Sequence, residues 1–185
     1  MRLFVALAPS PAALDELEAA VAPLRPGGPG LRWTSPDAWH ITLAFLGEVG
    51  ETAAARLAPR LERAAARHHQ FRLAFAGAGA FPSASRARVF WVGLNGDDGE
   101  VDGLAASVAA AARRAGASPP DEGRAFRPHL TLARCRVPAD ARALVDALSA
   151  YRGTAWPADR VHLIHSSPGS QPRYTTLGSW PLARG

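Results

Sequence analysis

The sequence of 185 residues has no lysine, one cysteine, one methionine and two tyrosines. The single cysteine, Cys135, cannot form an internal disulfide, as expected of a protein that folds in the reducing cytoplasm. No segment approaches the roughly 20 consecutive apolar residues of a membrane-spanning helix. The sequence therefore excludes a disulfide scaffold and predicts a cytoplasmic protein without a membrane span.

Arginine supplies all 21 basic residues, which give a formal charge of +5 against 16 acidic residues. A basic surface attracts polyanions such as RNA. GC-rich coding would also replace lysine by arginine, so the charge alone indicates a solvated basic face equally well. With 48% hydrophobic and 20% charged residues, the composition is typical of one globular domain, or of two small lobes with a common core, and a monomer is expected.

Apolar periodicity predicts strands and helices along the whole chain. Strands are expected at 3–7, 39–46, 71–81, 89–92, 130–133, 161–165 and 174–177. Helices are expected at 11–24, 53–67, 101–115 and 139–150, the first capped by Ser10 and the third ended by Gly116. Segments 26–30 and 118–123 are expected to be loops.

One pattern occurs twice: His-[Ile/Leu]-Thr-Leu-Ala begins at His40 and again at His129. Each copy is followed by a helix and a hairpin that carries an arginine, Arg88 or Arg173. The interval from residue 40 to residue 88 is 48 residues, and that from 129 to 173 is 44. The common order and similar spacing predict a duplicated α+β unit, with two lobes that face each other across a cleft.

Alternate residues of a strand share a face, so His40 should lie beside Thr42 and His129 beside Thr131. A neutral imidazole can take a proton from water while a protonated one gives a proton to a leaving alkoxide. Threonine hydroxyls can hold phosphate oxygens as charge develops. Beside neither histidine does a carboxylate or cysteine stand at zinc-ligand spacing. The double pattern therefore predicts a metal-independent phosphoesterase.

These motifs resemble those of the 2H phosphoesterases, and most closely the RNA 2′,3′-cyclic phosphodiesterases, also called 2′-5′ RNA ligases. The resemblance covers residues 2 to about 182. It implies one domain over 1–185, with an α+β bilobal fold in which two antiparallel sheets flank a central cleft and helices lie outside. The segments that carry it are Arg2–Leu7, Arg32-Trp33, His40–Gly47, Arg88–Trp91, Phe126–Arg134 and the closing hairpin.

The resemblance also implies an activity. The substrate is RNA that ends in a 2′,3′-cyclic phosphate, tRNA fragments included, and the product is a 2′-phosphomonoester made without cofactor or metal. It makes His40 the proton donor to the 3′ oxygen and His129 the base that activates water. Thr42 and Thr131 would bind the phosphate. The sequence pattern itself is nearly symmetric and does not distinguish the two histidines.

Two arginines are further candidates for contact with phosphate or RNA, weighed equally against simple exposure to solvent. On a regular strand Arg127 would share the face of His129, and Arg134 would lie on the opposite face.

Among the aromatic residues, Trp33, Phe45 and Trp91 are candidates for stacking on a terminal base. Trp33 is the best of the three, and Phe45 is more typical of a core residue. The two late histidines, His162 and His165, would lie on opposite faces of one strand, and His165 could approach the cleft, although a position away from it is favoured.

Other functions remain compatible with the same residues. The site could act on a small cyclic nucleotide or catalyse 2′-5′ RNA ligation, and the chain has no glycine-rich phosphate loop that would indicate ATP. A basic RNA-binding module without chemistry is a third hypothesis, but binding alone would not require an imidazole in each half.

Overall fold

The structure is a computed structural model that describes residues 1–28, 30–96, 98–118, 120 and 123–185. The strands are β1 (Arg2–Leu7), β2 (Arg32–Trp33), β3 (Ile41–Glu48), β4 (Phe71–Phe81), β5 (Ala87–Gly96), β6 (Leu130–Ala139), β7 (Trp156–Ala158), β8 (Arg160–Ser167) and β9 (Arg173–Pro181). The α-helices are α1 (Pro11–Val21), α2 (Glu51–Ala66), α3 (Asp98–Ala115) and α4 (Arg142–Leu148).

Every predicted helix and strand is present, whereas the short strands β2 and β7 were not predicted. Ser10 caps α1 by accepting a hydrogen bond from the Ala13 amide, and Gly116 follows α3 with a positive φ of 84°. The first helix is shorter than expected because a 3₁₀ helix, Ala22–Gly27, takes over after α1 and includes part of the predicted loop at 26–30. Residues 29, 119, 121 and 122 of the predicted loops lie outside the described residues.

The strands form two antiparallel sheets. The first sheet has the order β3-β1-β8-β9, and the second has the order β2-β6-β5-β4-β7. Helices α2 and α3 pack on the first sheet, while α1 and α4 pack on the second. This arrangement confirms the predicted α+β fold with two antiparallel sheets and outer helices. In the described part of the chain, none of the helices has the length and hydrophobicity that crossing a membrane requires.

The chain crosses between the sheets within each repeat. The motif strand β3 belongs to the first sheet, but the β4–β5 hairpin that follows it belongs to the second. The reverse holds for β6 and the β8–β9 hairpin. Each repeat therefore contributes strands to both sheets. The expected equivalence of Arg88 and Arg173 is wrong, because β5 lies beside a motif strand and β9 lies at a sheet edge.

One large apolar cluster extends beneath both sheets, and a second, small cluster consists of Phe4, Ala6 and Ile164 on the other face of the first sheet. Fully buried side chains reach the large cluster from three elements: Leu61 of α2, Leu104 of α3 and Trp156 of β7. The division into one domain with two pseudo-symmetric lobes stays a prediction, and the shared core is what supports a single domain.

Two phenylalanines, one on each sheet, allow a test of this core. Phe90 of β5 is 0% exposed and Phe45 of β3 is 47% exposed. Phe90→Ala should lower the free energy of unfolding by about 3–5 kcal/mol, since removal of the buried ring leaves a cavity. Phe45→Ala should cost far less. Urea denaturation of both variants checks this, and equal losses would contradict the burial described.

Candidate active site

Both motif histidines are held by a backbone carbonyl two residues earlier in the chain. The Nδ1–H of His40 donates to the Ala38 carbonyl over 3.0 Å, and that of His129 donates to the Arg127 carbonyl over 2.6 Å. Because a carbonyl only accepts, Nδ1 carries the hydrogen in both rings. The Nε2 of each ring has no hydrogen-bond partner among the described residues. Nε2 is therefore the nitrogen available for proton transfer.

The threonines lie on the same strand face as the histidines, as the alternation predicts. Thr42 and Thr131 are half-buried, whereas Ile41 and Leu130 are completely buried on the opposite face. Each motif strand therefore presents an imidazole and a hydroxyl away from the core.

Two grooves border the motif histidines: His129 lines the first, and His40 lies next to Tyr174, which lines the second. We name the first the apolar groove; it measures about 650 Å³, and its lining includes Thr42, Phe45, Phe81, Phe126, Arg127 and His129. We name the second the arginine groove; it measures about 1300 Å³, and its lining includes Arg32, Trp33, Thr34, Arg134, Arg173 and Tyr174. The Tyr174 ring stands 5.6 Å from the His40 ring. The apolar groove joins residues of both motif strands, so the two sheets contribute to one site.

Both motif strands carry a β-bulge at the same place. On β3, Thr42 pairs with Ala6 but Ala44 pairs with Val5, so Leu43 is an extra residue. On β6, Leu132 is extra in the same way, between Thr131 and Ala133. A bulge shifts the alternation of side chains by one. The fifth residue after each histidine therefore returns to the histidine's face.

The bulges correct two expectations. Arg134 was expected opposite His129, but it is exposed and its charge acts on that histidine. Phe45 was considered a core residue, but it is nearly half exposed and lines the apolar groove. These two residues occupy equivalent positions, so the bulges place an arginine beside one histidine and an aromatic ring on the face of the other.

Arg127 and Trp33 differ from expectation in smaller ways. Arg127 precedes β6 and is exposed at the apolar groove, while its carbonyl orients His129. Trp33 is half-buried, its ring 5.9 Å from that of Phe90 and 6.0 Å from the Arg25 guanidinium carbon. Its ring is thus engaged in packing at the margin of the arginine groove. Phe45 presents the more exposed ring.

Burial determines the electrostatics of the two imidazoles. Loss of water lowers the pKa of His40, and the hydrogen bond to Ala38 partly opposes this shift. Burial likewise lowers the pKa of His129, opposed by the Arg127 carbonyl and reinforced by the charge of Arg134. The neutral form is favoured in both, and His129 has an additional cause that His40 lacks.

Aromatic rings fix the planes of the imidazoles. The Phe4 ring meets His40 edge to face at 6.1 Å, and the Phe81 ring meets His129 edge to face at 5.0 Å. Trp91 lies 6.0 Å from His129 and covers Gly79, where a side chain would overlap the indole. Trp91 therefore packs against His129. Stacking of Trp91 on a substrate base stays a prediction.

A third histidine on the cleft face is His162, and not His165. His162 pairs with Ala6, which pairs on its other side with Thr42, whereas His165 pairs with Leu3 of the core. Its Nδ1 lies 2.7 Å from the Ser179 hydroxyl. Burial lowers the pKa of His162, and the charges of Arg160 and His40 lower it further. Only the register of β8 against β1 distinguishes these two histidines, and no sequence signal gives that register.

Thr34, which the sequence did not single out, joins β6 to the segment before β3, and we call its set of hydrogen bonds the Thr34 clamp. The Thr34 hydroxyl donates toward the carbonyls of Leu132 and Thr131, at 2.9 and 3.0 Å, and accepts a 3.0 Å hydrogen bond from the Trp39 indole. The Thr34 amide also donates to the Leu132 carbonyl. Trp39 directly precedes His40, so Thr34 ties the segment of one histidine to the strand of the other.

The described residues contain no group of three or more histidine, cysteine, aspartate or glutamate side chains that could hold a metal ion. Cys135 is buried, and burial raises the pKa of its thiol.

Comparison with known proteins gives a match to one family model, two relatives and one solved structure. A family model described as the 2′-5′ RNA ligase superfamily matches residues 5–169. The RNA 2′,3′-cyclic phosphodiesterase of Aeropyrum pernix is 40% identical over 121 residues, which cover 65% of this chain and 66% of the relative. The protein of that name from Archaeoglobus fulgidus is 35% identical over 136 residues, which cover 74% and 73%. The solved structure of E. coli LigT complexed with 3′-AMP is 28% identical, with a TM-score of 0.75 and coverage of 99% and 98%.

Two sheets with a histidine and a threonine on each motif strand are the framework of a phosphoesterase, a hydrolase. The chain belongs to the 2′-5′ RNA ligase superfamily. This confirms the family resemblance inferred from the motifs.

The Thr34 clamp can be tested with an isosteric change. Thr34→Val leaves the buried Trp39 indole N–H without an acceptor and should lower stability by about 1–3 kcal/mol. Because the clamp sets the spacing of the histidines, we expect phosphodiester hydrolysis to fall roughly tenfold to hundredfold. Thr52→Val, on the exposed face of α2, is the matched control. Full activity in a folded Thr34→Val protein would show that the clamp does not position the site.

Proposed function

We propose that this protein is an RNA 2′,3′-cyclic phosphodiesterase that opens a terminal cyclic phosphate to a 2′-phosphomonoester without a metal. One observation carries the proposal: the two motif imidazoles have the same fixed tautomer and a threonine on the same strand face, and Thr42 of one motif lines a groove together with His129 of the other. The names of the two archaeal relatives state the same activity for those proteins. The LigT structure with bound 3′-AMP supports a nucleotide as the ligand class.

In the proposed reaction, neutral His129 takes a proton on Nε2 from water, whose oxygen forms a new bond to phosphorus. The bond from phosphorus to the 3′ oxygen breaks. Protonated His40 gives the proton on its Nε2 to that leaving oxygen, and the phosphate remains on the 2′ oxygen. Thr42 and Thr131 donate hydrogen bonds to the non-bridging oxygens as their charge grows. Each of the two proton transfers by a positioned side chain should accelerate the reaction by about 10²–10⁴-fold.

The assignment of base and acid rests on the family, and Arg134 supports it. The charge of Arg134 disfavours a proton on His129, which suits a base. The equivalent position beside His40 is Phe45, which has no charge, so His40 lacks that penalty and suits the acid. A guanidinium at this position also suits contact with the phosphate. Arg127 is a second candidate for such a contact, at the mouth of the apolar groove.

The same pair of histidines would catalyse 2′-5′ ligation if the 5′ hydroxyl of a second RNA replaced water. Analysis of products in the presence of a 5′-hydroxyl RNA distinguishes the two reactions. A cytoplasmic location and a monomeric state remain predictions from the sequence.

The proposal predicts that an oligoribonucleotide with a 2′,3′-cyclic phosphate end is converted in EDTA to a 2′-phosphate end. His40→Ala and His129→Ala should each reduce kcat by about 10²–10⁴-fold, since each removes one proton transfer. His69→Ala, on an exposed site outside the cleft, should not. Chromatography against 2′- and 3′-phosphate standards identifies the product. A 3′-phosphate would reverse the assignment of the broken bond, and retained activity in both variants would exclude the mechanism.

The pH dependence follows from the lowered histidine pKa values. Since burial depresses both below the ordinary value of 6.5, the bell-shaped profile of kcat/KM should have its maximum on the acid side of pH 6.5. Arg134→Gln removes a positive charge near His129, so the pKa of that imidazole should rise. The acidic limb of the profile should then move to higher pH. A maximum well above pH 7, or no movement of that limb, would contradict this account.

A further inference from the structure

We propose that the arginine groove holds the RNA strand on the 5′ side of the terminal nucleotide, with its backbone phosphates on Arg32 and Arg173. This inference rests on the proposed function and adds the path of the polynucleotide. It predicts that the enzyme distinguishes an oligonucleotide from a mononucleotide cyclic phosphate.

An excess of positive charge is the first observation, since three arginines and one aspartate, Asp37, line the groove. Arg32 of β2 and Arg134 of β6 are directly opposed in the antiparallel pair, and Arg173 enters the same groove from the start of β9. Like charges in directly opposed positions destabilise a sheet. None of these three arginines forms an ion pair with a carboxylate in the described part of the chain. An anion in the groove would compensate this repulsion.

The guanidinium groups also have donors to spare. Arg32 uses one N–H on the Ser170 carbonyl, over 3.2 Å, and thereby ties the 167–172 loop to β2. The Arg173 side chain is exposed and makes no hydrogen bond to the described residues. A guanidinium carries five N–H donors in a planar fork that matches phosphate oxygens. Both side chains are thus available for charged ligands.

The arginine groove lies next to both motif histidines. Tyr174, which lines it, stands 5.6 Å from the His40 ring, and the charge of Arg134, also in its lining, acts on His129. Its volume of about 1300 Å³ exceeds the roughly 300–1,000 Å³ that commonly hold small ligands. A chain that leaves the active site therefore has a continuous path between the 167–172 loop and the segment after β2.

The apolar groove is also lined by arginines, Arg113, Arg124 and Arg127, but most of its wall is apolar, which suits a base better than a charged backbone. Alanine, leucine and phenylalanine side chains form much of its wall, among them Phe45, Phe81 and Phe126. Exposed aromatic rings favour the face of a base, and each stacking contact contributes about 1–3 kcal/mol. We therefore expect the terminal base to contact the phenylalanines of the apolar groove and the preceding phosphates to contact the arginines of the arginine groove.

The experiment measures the kinetics of hydrolysis with two substrates and, separately, the binding of an oligonucleotide. Kinetics are recorded with a nucleoside 2′,3′-cyclic phosphate and with a cyclic-phosphate-ended oligoribonucleotide, between about 50 and 200 mM salt. Binding of a fluorescent oligoribonucleotide that carries a 2′-phosphate end is followed by anisotropy. The variants are Arg173→Gln, Arg32→Gln and the charge-retaining Arg32→Lys, with Arg56→Gln on the exposed face of α2 as the matched control.

We expect Arg173→Gln and Arg32→Gln each to raise the oligonucleotide KM and Kd about tenfold, since each removes a charged hydrogen bond. The slope of log Kd against log salt should become shallower by about 0.7 for each phosphate that the variant no longer binds. Turnover of the mononucleotide should not change. Arg32→Lys should recover most of the salt slope, because it retains the charge, and this separates binding of a phosphate from a merely structural role.

Equal effects on both substrates, or an unchanged salt slope, would overturn the groove assignment while leaving the phosphodiesterase intact. Hydrolysis of the mononucleotide by the unmodified protein with no preference for the oligonucleotide would do the same. If neither substrate is hydrolysed but the oligonucleotide still binds with the expected salt slope, the proposed reaction fails and the groove stands.

Discussion

The site depends on one hydrogen bond that the molecule makes twice, from the Nδ1 of each histidine to the carbonyl two residues before it. This bond fixes the tautomer and the direction of the ring together. If Nδ1 were unprotonated, it would face a carbonyl oxygen and the ring would turn away. The local chain makes the bond possible: a short 3₁₀ turn precedes His40, and Pro128 precedes His129. The backbone thus determines that Nε2 is the ring nitrogen left for the proton transfers that we propose.

On this common frame, the two halves differ at a few equivalent positions. Five residues after the histidine, the first half has Phe45 and the second has Arg134. Beside the threonine, the first half has Ala6 and the second has Trp91. These differences give His129 a cationic neighbour and an indole, whereas the face of His40 has the uncharged Phe45 in place of the arginine. The bulge makes the first difference matter, because without it both side chains would point into the core.

The sequence was sufficient for the motif strands, because alternation is a local property that hydrophobic pattern reports directly. Buried Ile41 and Leu130 with half-buried Thr42 and Thr131 follow from that rule. The sequence was insufficient to predict the strand face of the side chains beyond the first three residues of each motif. A bulge is a mismatch between two paired strands, and its position depends on the partner as much as on the motif.

The same reason accounts for the other features that were missed. His162 and His165 are equally polar on one strand, and only the pairing of β8 with β1 decides which of them faces the cleft. The Thr34 clamp joins residues nearly a hundred positions apart through one hydroxyl. The spacing of the motifs does not indicate which sheet each hairpin joins, because the intervals of 48 and 44 residues between histidine and arginine allow a hairpin to return to either sheet.

The crossing has a consequence for how the site is held. Between the described strands the chain passes from one sheet to the other four times: from β1 to β2, β2 to β3, β3 to β4 and β7 to β8. Neither sheet can be completed by one repeat alone, and one large apolar cluster lies beneath both. Separation of the lobes would therefore break strand pairing or the core. The spacing of the two motif strands is therefore set by the folded framework.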